Sequence, residues 1–581
     1  VGAPAERIGV LDALVARIGQ VLGHLRAPQP ATLAEIARAS SRTVQGAHRL
    51  AVVADNTNDL ITKLEQALDK LRRADAKPFK TRSGVYYGVG TAPGKLCFLY
   101  PGEGAQYPNM LADLALQFPQ VRAAFDFMEA TGLAHGMAAR APVLFPAPTG
   151  LDDEARKALD ARLYELDVAA ESVYSASLGL QDLLDTLGFA PDAMLGHSTG
   201  ENTALTVSGV RRVTRREDIA GDVRALNTIS QRLIDENRIA EGTLLTLGAL
   251  KPALRTELLQ RYGGNEGELL VAMDNCPNQL VLFGKPAAAE ALRAQLSEEG
   301  VICVALPFGR AYHTPLFKPM ADALREYFAA LDFGPGRCTL YSARAVGPFP
   351  NDPVAIRELA AQQWENAVRF TATLERLYDD GYRVFVEVGP SGNLTSFVND
   401  TLRSKDDVIA CATDSRRRAS MLQFHHTLAQ LFSTGVAFDP AALYAHRVID
   451  ALDLAAPPAP ARRRGITMKL QMPELSLPVN WAPAQRRPSA PAADSAPPLA
   501  PQPRTDVPIP VAEPVAAVDP RAAVLKAHFE LMQDFLDSQS RVLDTLGGTP
   551  TMLSTSGTAT ALPLASAGSA ALLPPYTAAD G

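Results

Sequence analysis

Sulfur, aromatic side chains and excess charge are all scarce in this sequence. Five cysteines stand in 581 residues, at Cys97, Cys276, Cys303, Cys338 and Cys411. They are scattered, with no C-x-x-C pair and no dense framework. That excludes a disulfide-stapled scaffold and points to reduced thiols in a cytoplasmic protein. No metal site is expected. Phe, Trp and Tyr make up 6% of the chain and the formal net charge is −7, so nothing suggests a nucleic-acid partner. No apolar run is long enough to span a membrane. The N-terminus lacks the charged region, apolar stretch and cleavage site of a secretory signal. What remains is an ordinary globular composition, 47% hydrophobic and 20% charged, in a chain too long for one core. It begins with Val1 rather than Met and ends in a low-complexity tail, as expected of a piece of a longer polypeptide.

The most informative stretch is Leu195-Gly196-His197-Ser198-Thr199-Gly200-Glu201. Its G-x-S-x-G core has the form of a nucleophile elbow, a sharp strand-to-helix turn with serine at the tip. The flanks fit: Ala193-Met194-Leu195 is a short apolar run for a strand, and Asn202 to Val210 is mostly apolar and can begin a helix. A serine there would sit beside the N–H groups and positive dipole end of that helix, which can stabilise an oxyanion.

Taken in order, residues 1 to about 75 read as mostly helical, with a strand at 49–54 and a helix at 58–71; Val85–Val89 suggests another strand. From Lys95 the chain alternates apolar runs (Leu96–Tyr100, Ala193–Leu195, Arg383–Val388) with helical stretches such as 171–187. This argues an α/β fold with a mainly parallel sheet. Within it, residues 243–306 read strand–helix–strand–strand–helix–strand, the ferredoxin-like order. Pro, Ala and Ser dominate residues 456–520, which read as an extended linker. Residues 520–546 form an amphipathic helix whose apolar stripe suggests a partner or self-association, and the Ser/Thr/Ala tail from 547 reads as disordered. The expected organisation is therefore an N-terminal linker domain 1–92, a large subdomain in two parts 93–240 and 309–450, a small subdomain 241–308, a linker 451–519, a helix 520–546 and a tail 547–581.

Four stretches in order carry a resemblance: Pro101-Gly102-Glu103-Gly104-Ala105-Gln106, the Gly196–Glu201 elbow, Ala311-Tyr312-His313-Thr314-Pro315-Leu316, and Glu387-Val388-Gly389-Pro390. From about Leu96 to Leu431 the chain resembles the malonyl-CoA:acyl-carrier-protein transacylase family, and in particular the acyltransferase domain of a type I polyketide or polyunsaturated fatty acid synthase. The resemblance implies a hydrolase-like α/β core with an inserted ferredoxin-like subdomain, preceded by an α/β ketosynthase–acyltransferase linker domain. It implies a Ser198–His313 dyad, oriented by the Gln363 carbonyl, with an oxyanion hole from the main-chain N–H groups of Thr199 and Glu103. The family usually has glutamine at the Glu103 position; the carboxylate is expected to face solvent or a basic partner. Gln106, His197, Arg310 and Tyr312 are implied at the substrate. A carboxylate-clamping arginine is expected on the post-elbow helix, with Arg224 the best match and Arg232 the reserve; with Tyr312 it favours malonyl. No cofactor is bound in this scheme. The acyl group arrives on coenzyme A and leaves on the phosphopantetheine of an acyl carrier protein domain, beside a ketosynthase in the full synthase. A hydrolase or starter-unit transferase on the same fold is the alternative. A simple α/β-hydrolase esterase would need an acid between Ser and His, and a degenerate scaffold would not need both Ser198 and His313.

Overall fold

The computed structural model describes residues 4–42, 46–73, 77–134, 136–147, 152–307 and 309–458. The expected helix at 520–546, most of the linker and the tail lie outside the described residues.

The centre is a six-stranded sheet in the order Gly347–Pro348, Thr339–Ser342, Ala193–Gly196, Lys95–Tyr100, Tyr382–Glu387, Ile409–Ala412. Every pairing is parallel except the short Gly347–Pro348 edge. The Lys95–Tyr100 strand reads KLCFLY and is buried from Leu96 to Tyr100, the continuous apolar run of a strand covered on both faces. From it the chain steps to one side, through Ala193–Gly196 and Thr339–Ser342, and later returns to its other side with Tyr382–Glu387. The carboxyl ends of strands at such a reversal are where open α/β sheets bind ligands. The loop after Tyr100 and the elbow after Gly196 both emerge there.

The inserted subdomain has the predicted element order. Its strands lie Leu269–Cys276, Gln279–Gly284, Thr243–Gly248, Ile302–Ala305, with helices Pro252–Tyr262 and Pro286–Glu298. A two-residue strand that the sequence pattern does not reveal, Val368–Arg369, adds to this sheet parallel to Leu269–Cys276 and so ties the insert to the core. Thr371 Oγ1 donates to Asp274 Oδ1 at 2.8 Å just beyond that seam.

Ahead of the core, the helices Pro4–Leu25, Leu33–Ser41 and Thr57–Leu71 accompany a three-stranded antiparallel sheet ordered His48–Val52, Val85–Val89, Phe79–Lys80. Thr32 and Glu35 form a capping box, and the Asn56 side chain caps the third helix. The sheet lies against the Ser420–Thr434 helix. A Cβ at Gly88 would fall 1.9 Å from Ser433 O, and Tyr86 Oη lies 2.7 Å from His426 Nδ1. All five cysteines are free thiols, and none of the described helices is long and apolar enough to cross a membrane.

Two glycines should separate by mutation. A Cβ at Gly200 would sit 2.1 Å from the Tyr100 carbonyl oxygen, whereas one at Gly221, inside the Arg216–Asp235 helix, meets nothing nearer than 3.9 Å. Gly200→Ala should cost about 1–3 kcal/mol as overpacking against main chain. Gly221→Ala should gain roughly 0.5–1 kcal/mol of helix stability. Urea midpoints of the two variants check this; equal midpoints would contradict it.

Candidate active site

The elbow is held open by what its glycines lack. Ser198 takes φ +55° between the Ala193–Gly196 strand and the Gly200–Val207 helix. That left-handed conformation costs a non-glycine residue energy and persists only when its surroundings enforce it. They do so here. His197 N donates to Tyr100 O at 2.9 Å, and Gly200 N to His197 O at 2.9 Å. A Cβ at Gly196 would lie 2.2 Å from Glu201 Cα, and one at Gly102 2.6 Å from His197 O. The Pro101 loop is therefore seated directly on the elbow. The fourth motif packs behind it: a Cβ at Gly389 would be 2.4 Å from the Pro101 ring.

Ser198 Oγ lies 2.7 Å from His313 Nε2, and His313 Nδ1 lies 2.8 Å from the Gln363 carbonyl oxygen. The carbonyl is available for a simple reason. The last four C=O groups of a helix have no partner within it, and Gln363 is in the last turn of Pro353–Glu365. Asn366 Nδ2 donates to Gln362 O at 2.8 Å, and His313 N to Trp364 O at 3.0 Å. His313 thus satisfies two orphan carbonyls at once and is itself held at φ +60°. A carbonyl acceptor on Nδ1 puts the proton there and leaves Nε2 with a lone pair facing Ser198. His313 is 1% exposed. Burial drives its pKa down to about 4, against the Gln363 hydrogen bond that raises it and with a smaller push from His197, so the imidazole is neutral at pH 7.

The structure brings some of the other expected residues to this centre and moves others away. Thr199 begins the turn into the helix, and its N–H has no acceptor among the described residues. The Glu103 N–H, expected in the same oxyanion hole, instead donates to Thr199 Oγ1 at 2.8 Å, so its hydroxyl partner must rotate before that N–H can serve. The Glu103 side chain has Arg310 as its basic neighbour. It is half-buried where two cavities meet, and burial pushes its pKa up to about 7 against the nearby Arg310 charge. Tyr312 is buried beside Phe317, ring centroids 4.9 Å apart, and its hydroxyl accepts from Arg310 Nη1 at 3.4 Å.

Three expected substrate residues have other partners in the structure. Gln106 is fully buried and turned into its own loop: Oε1 accepts from Gly104 N at 2.8 Å and Nε2 donates to Leu163 O at 3.3 Å. It braces the loop and lines neither cavity. His197 points away from the dyad, with Nε2 2.6 Å from Asn275 Oδ1 and its ring edge-on to Phe370; it pins the elbow to the inserted subdomain. Sequence reasoning missed Asn275. Arg224 Nε donates to Ala220 O of its own helix at 3.4 Å, and the residue lines the groove and not the inner cavity. Arg232 is exposed.

A family model described as an acyl transferase domain matches residues 97–438. The chain belongs to the acyl transferase domain family. The phenolphthiocerol synthesis polyketide synthase type I Pks15/1 of Mycobacterium marinum is 27% identical over 455 residues, covering 76% of this chain and 19% of that protein. The 6-methylsalicylic acid synthase of Penicillium patulum is 27% identical over 409 residues, covering 68% of this chain and 20% of that protein. The chain therefore spans about a fifth of these relatives' length. Among solved structures, the acyltransferase domain from the second module of the salinomycin polyketide synthase is 26% identical with a TM-score of 0.55, covering 72% of this chain and 90% of that one. The acyl transferase domain of ZmaA has a TM-score of 0.60 at 19% identity, covering 76% and 96%.

In this acyl transferase two spaces open beside the motifs that carry the dyad, one bordered by Thr199 and Tyr312 and the other by Glu103 and Arg310. One is a cavity of about 80 Å³ reaching inward past Thr199, Tyr312 and Trp364. The other is an open groove of about 1570 Å³, lined by Arg224, Arg310 and Tyr164 among others. They share Glu103, Asn227 and Tyr327.

The elbow's Glu201 generates a pH test. It is 1% exposed, with Ser342 Oγ donating to Oε2 at 3.4 Å. Burial raises its pKa from 4.5 to about 8, outweighing the hydrogen bonds from Ser342 and Ala343. A carboxyl raised on folding stabilises the native state fully below its unfolded pKa, and that stabilisation is lost as pH rises through the folded value. Tm should therefore fall between about pH 5 and pH 8, and Glu201→Gln should flatten the fall. An unchanged slope in the variant would show that Glu201 is not the titrating group.

Proposed function

We propose that this acyl transferase moves an acyl group from a coenzyme A thioester to the phosphopantetheine thiol of a carrier protein domain through an ester on Ser198. The observation that carries the reading is the Ser198 Oγ to His313 Nε2 to Gln363 carbonyl line, at 2.7 and 2.8 Å. A serine hydroxyl needs a base to be a nucleophile. His313 Nε2 takes the Ser198 proton as Oγ attacks the thioester carbon. The oxyanion that forms meets the Thr199 N–H and, once the Thr199 hydroxyl turns away, the Glu103 N–H. The carbon–sulfur bond then breaks and the imidazolium returns its proton to the coenzyme A thiolate. In the second half the carrier thiol gives its proton to Nε2 and attacks the ester, and Ser198 Oγ leaves and is reprotonated.

The helix C-terminus under His313 favours the transient imidazolium, because its carbonyls carry partial negative charge. The groove suits the coenzyme A arm, with Arg224 and Arg310 placed for its phosphates, which arginine recognises well. In the full synthase the loaded carrier would serve a neighbouring ketosynthase.

The experiment is intact-mass measurement after brief exposure to a panel of acyl-CoAs. The unmodified protein should gain one acyl mass, and Ser198→Ala none. His313→Ala should slow acylation by about 10²–10⁴-fold, the usual contribution of a general base. An acyl adduct persisting on Ser198→Ala would place the nucleophile elsewhere.

A further inference from the structure

The inner cavity is the part of the site that an acyl chain would enter. Its exposed wall is mostly apolar: Val173, Leu205, Val223, Leu226, Met320 and Phe333 line it, with neutral polar groups such as Thr203, Thr206 and Ser230 between them. Among the described residues the only cationic side chain on that wall is Arg211, and it is already matched. Arg211 Nε lies 3.0 Å from Asp222 Oδ2 and Nη2 lies 3.2 Å from Oδ1, the two-pronged geometry an arginine would otherwise offer a substrate carboxylate. Tyr327 Oη donates to the same Asp222 at 2.7 Å. The acidic group Glu103 stands at the mouth. A second carboxylate entering here would meet a neutralised arginine, another acid and a wall with no free cation among the residues that line it; Arg310, outside that wall, is already turned to Tyr312 and Glu103, and burying an unpaired charge is strongly unfavourable.

We propose that the acyl group accepted by this site is an uncharged aliphatic chain of medium length rather than a dicarboxylic one; the inference rests on the transfer reading above. The size agrees. One water needs roughly 10–15 Å³, so a cavity of about 80 Å³ takes several methylene-sized groups. The wall rewards each one, by roughly fourfold in binding per fully buried methylene. The thioester carbon remains at Ser198, the chain runs inward past Thr199 and Tyr312, and the coenzyme A arm stays in the groove.

The test is competition on the full chain. Equimolar malonyl-, acetyl-, hexanoyl- and octanoyl-CoA are mixed with the protein, and the Ser198 ester is read by intact mass at early times. Hexanoyl or octanoyl ester should exceed malonyl ester by at least about tenfold. Malonyl ester in the majority, or acetyl ester equal to both longer chains, overturns the inference and leaves the transfer reading standing. No ester from any donor, or one that survives Ser198→Ala, overturns the transfer reading itself. Two variants sharpen the result. Leu226→Trp fills the cavity and should cut octanoyl loading far more than acetyl loading; equal losses would count against the cavity as the chain's site. Asp222→Asn releases Arg211 and should raise the malonyl share of the ester; a lowered share would contradict the role given to the pair. Urea midpoints confirm that each variant is folded before its ratio is read.

Discussion

The hydrogen bond from His313 Nδ1 to the Gln363 carbonyl is the contact on which the proposed chemistry turns. Among the described residues no carboxylate is hydrogen-bonded to this histidine. A helix end supplies the acceptor, and an acceptor of this kind cannot be titrated away. It fixes which imidazole nitrogen carries the proton, while burial keeps the ring neutral with a pKa of about 4. The same helix end is anchored from outside. Arg325 Nε bonds Glu358 Oε2 at 2.9 Å and its Nη2 bonds Glu365, so the turn bearing Gln363 is braced by side chains that never approach the dyad.

Against that fixed imidazole, the serine is positioned by exclusion. Gly102, Gly196 and Gly200 are spaces where main chain meets main chain at distances no Cβ tolerates. They allow the Pro101 loop, the elbow and the first turn of the helix to stack. The consequence is two left-handed residues, Ser198 and His313, facing each other. Such strain is held only by an over-determined surrounding. Here the surrounding is the parallel sheet, the Gly389 contact on Pro101 and the inserted subdomain's Asn275 on His197.

Much of this is legible in the sequence, because motifs with fixed spacing report local geometry. G-H-S-T-G-E specifies a turn that only glycine permits, and the strand–helix order of residues 243–306 specifies the inserted sheet. The meeting of Ser198, His313 and Gln363 from three distant segments follows from the family resemblance, which spacing alone cannot supply. The place of Arg224 is instructive. The Arg216–Asp235 helix presents Val223, Leu226, Asn227 and Ser230 to the cavity, an i, i+3, i+4, i+7 stripe. Arg224 is one residue off that stripe and faces the groove. The periodicity is present in the sequence, but a search for a charged residue passes over it. The Arg211–Asp222 pair is hidden differently: its two members are eleven residues apart, and only packing shows that they neutralise each other. Gln106 and His197 sit inside the motifs, which suggests substrate contact, whereas Gln106 bonds within its own loop and to Leu163, and His197 bonds Asn275 of the inserted subdomain.

The central claim is that His313 is a neutral base with its proton held on Nδ1. Nitrogen-15 NMR of histidine-labelled protein, with His313 assigned by its loss in His313→Gln, tests it most directly. The account predicts a protonated Nδ1 and an unprotonated Nε2 at every pH from about 5 to 8, above the folded pKa of about 4. An imidazolium titrating near the ordinary value of about 6.5, or the tautomer with the proton on Nε2, would contradict it.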